Sequence, residues 1–132
     1  MCSPGASTQA AENLTTMKIS VHANGTTTVF ELNDSPAAAA LYEQLPLECP
    51  VEDFASNEKI FYPPSKLTTS DTPLVSKAPV GTLAYYAPWG NVVMFYQPFG
   101  SAPGLYALGH AVSGQEQIGS MSGTLQIAQE KP

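Results

Sequence analysis

Two histidines (His22, His110), two cysteines (Cys2, Cys49) and a run of carboxylates (Glu48, Glu52, Asp53, Glu58) carry what acid–base, thiol or metal chemistry this chain could perform. A structural zinc site usually takes four Cys or His ligands, so it would need both cysteines and both histidines. Their scattered positions argue against that. The carboxylates could in principle hold a hard cation, which prefers clustered oxygens. They lack the looped alternation of a calcium site, and a solvated strand edge that discourages aggregation explains them more simply. No metal or cofactor is expected. His110 closely follows a predicted strand, where a general base could sit, yet no nucleophile accompanies it. Ser113-Gly114 and Gly119-Ser120 read as turns, and His22 falls on the outward face of a strand. A Gly-rich phosphate loop, a nucleophile elbow and a helix-borne metal pair are all missing from the sequence.

The aromatic residues are a richer set. Phe61, Tyr62, Tyr85, Tyr86, Trp89, Phe95, Tyr96, Phe99 and Tyr106 all fall between residues 61 and 106. Adjacent pairs on a strand point to opposite faces, so one member fills a core while the other looks outward or under a loop. Trp89 and Phe99 fall in predicted loops, where large aromatics need a partner or a cover. An apolar cleft with a few polar groups is the default ligand site. The candidate site takes Phe61, Trp89, Phe95 and Phe99 as its walls and Asn57, Lys59, Tyr106 and His110 as its polar groups. For Phe61 and Phe95 a place in the core is an equally good explanation.

Charge narrows the partners. The formal net charge is −6, and the basic residues are five lysines (Lys18, Lys59, Lys66, Lys77, Lys131) with no arginine. A nucleic-acid binder needs clustered Lys or Arg on the phosphates, so none is expected as a partner. No stretch approaches the roughly 20 apolar residues that cross a bilayer as a helix. A length of 132 residues suits one domain with one core.

The elements that must position these residues can be read from period and punctuation. Residues 1–16 are rich in Ser, Thr, Ala, Gln, Gly and Pro, with Leu14 the one large aliphatic side chain. They cannot bury enough apolar area to offset ordering, so they read as a disordered tail or linker ahead of a domain at 17–130. Tying that tail to the body would be an odd use of a lone cysteine pair, and no disulfide is expected. The opening Cys2-Ser3-Pro4-Gly5-Ala6-Ser7 looks like the start of a mature bacterial lipoprotein. Cys2 would then be a lipidation site and tether, and the protein an exported one of the cell envelope. The alternative is a cytoplasmic protein with a casual thiol.

Met17 to Ala23 alternates apolar and polar residues, the signature of a half-buried strand with Met17, Ile19 and Val21 inward. Asn24-Gly25 tolerates positive φ and predicts a hairpin into Thr26–Leu32. Asp34 or Ser35 can cap a short helix with Pro36 in its first turn, and Pro46 ends it. Leu47 to Phe54 alternates again, but Pro50 cannot donate to a ladder, which predicts an edge or a bulge. Further strands are expected at 57–62, 82–86, 91–96, 105–108 and 123–128, with one helical turn at 115–118. About eight strands and one helix predict a mainly all-β fold, a closed eight-stranded barrel capped by one short helix.

The order and spacing of Asn33-Asp34-Ser35-Pro36, Asn57-Glu58-Lys59-Ile60-Phe61-Tyr62, Gly81-Thr82-Leu83, Trp89 to Tyr96 and Tyr106-Ala107-Leu108-Gly109 resemble those of the bacterial cyclophilin-like domain family over residues 17–128. The resemblance implies the cyclophilin barrel and assigns no established function. True cyclophilins carry an arginine that donates to the nitrogen of the rotating prolyl amide. That weakens amide resonance, whose rotation barrier is ~18–20 kcal/mol. This chain has no arginine, and the ammonium of Lys59 lacks the fixed donor geometry of a guanidinium. The expectation is therefore a binding or interaction domain for a small molecule or peptide, without cyclophilin-type isomerase activity. The alternative is an enzyme, either a weak peptidyl-prolyl isomerase or a small-molecule hydrolase.

Overall fold

The computed structural model describes residues 3–4 and 17–130. Strands β2 (Lys18–Ala23) and β3 (Thr26–Leu32) form the expected hairpin, with Asn24 and Gly25 both at positive φ. Ile19 and Val21 are fully buried, while Lys18 and His22 are exposed, as the period-two pattern requires. Ser35 caps helix α1 (Pro36–Glu43) by accepting from Ala38 N at 3.2 Å. The helix buries Ala37, Ala38 and Leu41 in the main core.

The remaining strands are β4 (Leu47–Pro50), β5 (Glu52–Phe54), β6 (Glu58–Phe61), β7 (Thr82–Tyr86), β8 (Asn91–Phe95), β9 (Leu105–Ser113) and β10 (Thr124–Gln129). A two-residue strand β1 (Ser3–Pro4) pairs with β4. The described strands make one antiparallel sheet in the order β1-β4-β10-β2-β3-β9-β7-β8-β6-β5. Chain order explains the closure. Strands β4 and β5 lie towards opposite ends of that order, yet Val51 alone separates them in the chain. The sheet therefore curls until its two ends meet, giving a nearly closed all-β barrel with one short α-helix.

Three local readings need correction. The expected single strand at 47–54 is two, because its backbone turns from one sheet end to the other at Val51. That break and β1 raise the strand count above eight. Strand β9 continues past Leu108 to Ser113, since Gly109 lets β3 approach so closely that a Cβ there would run into the Glu31 carbonyl oxygen. The cysteine expectation also changes: Cys49 is fully buried on β4 and disulfide-bonded. Cys2 lies outside the described residues, as does the rest of the segment read as a tail, apart from Ser3–Pro4.

Two apolar clusters occupy the two faces of the curled sheet. The larger holds Ile19, Phe30, Leu41, Phe61, Leu83, Tyr85 and Met94, among others. The smaller holds Ile60, Val75, Ala78, Ala84, Val93, Phe95 and Leu105. Alternation along β8 assigns Val92 and Met94 to the first cluster and Val93 and Phe95 to the second. Segments around Val75, Ala78 and Ala102 cover the second face, and the pocket described below opens there.

Candidate functional site

A cavity of about 180 Å³ is walled by β5, β6, β8, the β7–β8 turn and the segment before β9. Its base is a ladder of directly opposed residues. Phe54 on β5 faces Glu58 on β6, and Glu58 faces Phe95 on β8. Opposed residues in an antiparallel pair share a face, so the Glu58 carboxylate stands between two phenyl rings. Phe99 stacks on Phe95 with ring centroids 5.3 Å apart and planes at 12°. Reciprocal backbone hydrogen bonds of 2.8 Å between Phe99 and Ala78 hold it there.

The other wall hangs on the β7–β8 turn. Tyr86 and Asn91 are the last pair of that hairpin, and Gly90 N donates to Tyr86 O at 2.9 Å. The turn projects Trp89 over the cavity mouth. Its ring meets Phe54 edge-on at 5.0 Å and Tyr86 at 5.6 Å. Trp89, Phe54 and Phe99 are 48%, 41% and 37% exposed, which makes them an open aromatic rim rather than core. Val93, Ala102 and Leu105 complete the apolar lining.

Two polar groups break that lining without a partner among the described residues. Asn91 is 2% exposed, and its Oδ1 has no hydrogen-bond partner among the described residues. Most buried polar atoms are paired, because an unpaired one costs about 1–3 kcal/mol. Glu58 is half-buried, and burial raises its carboxyl pKa above the usual carboxylate value. Its carboxylate makes no ion pair or hydrogen bond among the described residues.

Of the residues singled out from sequence, the pocket brings together Trp89, Phe95 and Phe99. Phe61 is buried in the main core. Lys59 points to the sheet face opposite Glu58, where it forms an ion pair with Asp53 and lies 5.8 Å from the centroid of Tyr96. Asn57 and Tyr106 do not line the cavity. His110 is exposed on β9, and the hydroxyl across the ladder from it, Thr82 Oγ1, donates to Pro79 O at 2.8 Å. Glu58 leaves the solvated acidic edge in which the sequence placed it, whereas Glu48, Glu52 and Asp53 are exposed. Phe54, Tyr86, Asn91 and Glu58 are the site residues that sequence reasoning did not assemble. Among the described residues no three His, Cys, Asp or Glu side chains gather as a metal site requires. None of the described helices is long and apolar enough to cross a membrane.

A curled antiparallel sheet with one helix against its core and an aromatic pocket on its second face defines a cyclophilin-like β-barrel. The chain belongs to the cyclophilin-like family, whose model matches residues 21–130. A comparison with curated proteins found no match.

Proposed function

We propose that this domain is a recognition module whose aromatic pocket takes a single-ring-sized apolar group of a small molecule or peptide, and that it is not a prolyl isomerase. The observation that carries this reading is the open, aromatic-rimmed cavity lined in part by Asn91, whose buried Oδ1 has no partner among the described residues. A protein stabilised only by its own packing would gain by filling that space and satisfying that oxygen. Size limits the occupant. Drug-sized ligands use cavities of roughly 300–1,000 Å³, whereas a dry cavity of about 150 Å³ accepts one benzene ring.

The absence of arginine supports binding over isomerisation, since no guanidinium can donate to a prolyl nitrogen. A hydrolase centred on His110 is disfavoured by the engagement of the Thr82 hydroxyl with Pro79. The Cys49 disulfide supports export to an oxidising compartment, where such bonds persist.

The test is a titration of single-ring compounds followed by the fluorescence of Trp89, the one tryptophan in the chain. Saturable binding that raises the melting temperature and disappears in Phe99→Ala supports the reading. A library with no binder overturns it, as does measurable proline-peptide turnover lost on Phe95→Ala.

A further inference from the structure

The pocket's one carboxylate, that of Glu58, is an acceptor without a partner among the described residues, and the rim is made of π faces and edges. We propose that the pocket recognises an organic ammonium group, whose N–H donors meet the Glu58 carboxylate while its apolar body lies among Phe54, Tyr86 and Trp89. This rests on the proposed recognition role and names the ligand chemistry.

Three observations converge on a cation. The first is charge: Glu58 is the one carboxylate lining the cavity and no lysine lines it, because Lys59 is turned to the other face and paired with Asp53. An anion would meet an uncompensated like charge there. A neutral alcohol would leave the carboxylate partly desolvated and unmatched. The second is the aromatic set, Trp89 with Phe54 at 5.0 Å and Tyr86 at 5.6 Å, the residue types that attract an ammonium held over their faces. The third is Asn91, 2% exposed, whose amide is the other uncharged polar group besides Tyr86 in an otherwise apolar lining. A net charge of −6 adds long-range attraction for a cation.

Benzylamine, benzyl alcohol and benzoate are similar in size and differ in charge, so Trp89 fluorescence titrations of the full chain at neutral pH separate charge from shape. Benzylamine is expected to bind at least about tenfold more tightly than benzyl alcohol, with benzoate weakest. Glu58→Gln is expected to bring benzylamine within about threefold of the alcohol. n-Butylamine in place of benzylamine then tells a lysine-like chain from a ring-bearing amine by which of the two binds more tightly. Equal affinities for benzylamine and benzyl alcohol overturn the ammonium proposal and leave the pocket reading standing. Failure of every compound to bind overturns both. A melting curve of Glu58→Gln shows that it is folded, and a second variant, Trp89→Phe read by calorimetry, must retain the preference for the amine.

Discussion

Glu58 and Lys59 are consecutive on β6 and serve opposite faces of one sheet. Lys59 is buried on the side where it pairs with Asp53, and Glu58 stands between Phe54 and Phe95 on the other. The strand's alternation separates a carboxylate from the cation beside it in the chain, so the pocket keeps an acidic group that its nearest ammonium does not neutralise. That arrangement costs stability, and the cost is measurable.

Glu58→Gln should raise the melting temperature at neutral pH. Burial raises the folded-state pKa of Glu58, so the fold favours the protonated carboxyl. Its favourable contribution is full below the unfolded-state pKa and is lost as pH rises through the raised folded-state value. The glutamine variant escapes that loss, and its advantage should shrink to nothing as pH falls below the ordinary carboxylate range. The charged groups on the flanking strand are Glu52 and Asp53, the latter occupied by Lys59; Tyr86 is the other titratable group in the pocket. A melting series from acid to neutral pH checks this, and a variant less stable than wild type at neutral pH refutes it.

Trp89→Ala should separate binding from stability. Trp89 is 48% exposed and makes two edge contacts, so its loss should cost roughly 1 kcal/mol. Binding of single-ring ligands should fall by about tenfold or more, as when an anchor at the centre of an interface is truncated. Phe61→Ala, fully buried in the main core, should instead cost about 3–5 kcal/mol. Chemical denaturation with calorimetric titration distinguishes the two outcomes.

The difference between Trp89 and Phe61 also marks how far the sequence could be read. The barrel was legible because the hairpin, the capped helix and the turn-punctuated strands each carry a local signal. The walls contributed by Trp89, Phe95 and Phe99 were legible because aromatics in or beside loops need cover. Alternation told that Glu58 and Lys59, like Phe61 and Tyr62, face opposite ways, but not which member faces inward. That choice depends on long-range register, such as Lys59 against Met94 and Met94 against Leu83. Phe54 was missed because the turn joining β5 to β6 uses Ala55 and Ser56 at positive φ, residues that do not announce it. Asn91 was missed because a buried amide looks in sequence like any turn-flanking asparagine.

Gly104→Ala should disturb the pocket more than the barrel. Gly104 has φ +82°, and a Cβ there would come within 2.8 Å of Pro88 Cδ, in the turn that carries Trp89. Ala87 N donates to Gly104 O at 2.9 Å, so the two segments must move together or part. The expected result is a shifted Trp89 emission and weakened ligand binding, with the far-ultraviolet dichroism of the sheet retained. Unchanged emission and affinity would show that the turn is not positioned by this contact.

The disulfide at Cys49 predicts that the denatured, unreduced protein leaves this thiol unlabelled by iodoacetamide and that reduction exposes it. Stability should drop on reduction by about 2–4 kcal/mol, the usual range for such a bond. Labelling of Cys49 without reductant would remove the disulfide argument for an oxidising compartment.

Asn91→Leu provides the sharpest test of whether the pocket's polarity exists for a ligand. Leucine matches asparagine in side-chain branching and is somewhat bulkier, and it cannot accept a hydrogen bond. If Asn91 Oδ1 serves the fold, removing it should cost more than about 1 kcal/mol, as loss of a satisfied buried hydrogen bond does. Oδ1 has no partner among the described residues, so replacing it with an apolar group should leave stability unchanged or raise it. Affinity for benzylamine should fall severalfold in the same variant, while affinity for toluene holds or rises, because the change trades a polar amide for apolar surface in the lining. The two measurements bear on one side chain and move in opposite senses only if the amide is kept for binding. A variant that loses stability and binds both probes equally poorly would place Asn91 in the architecture of the hairpin instead.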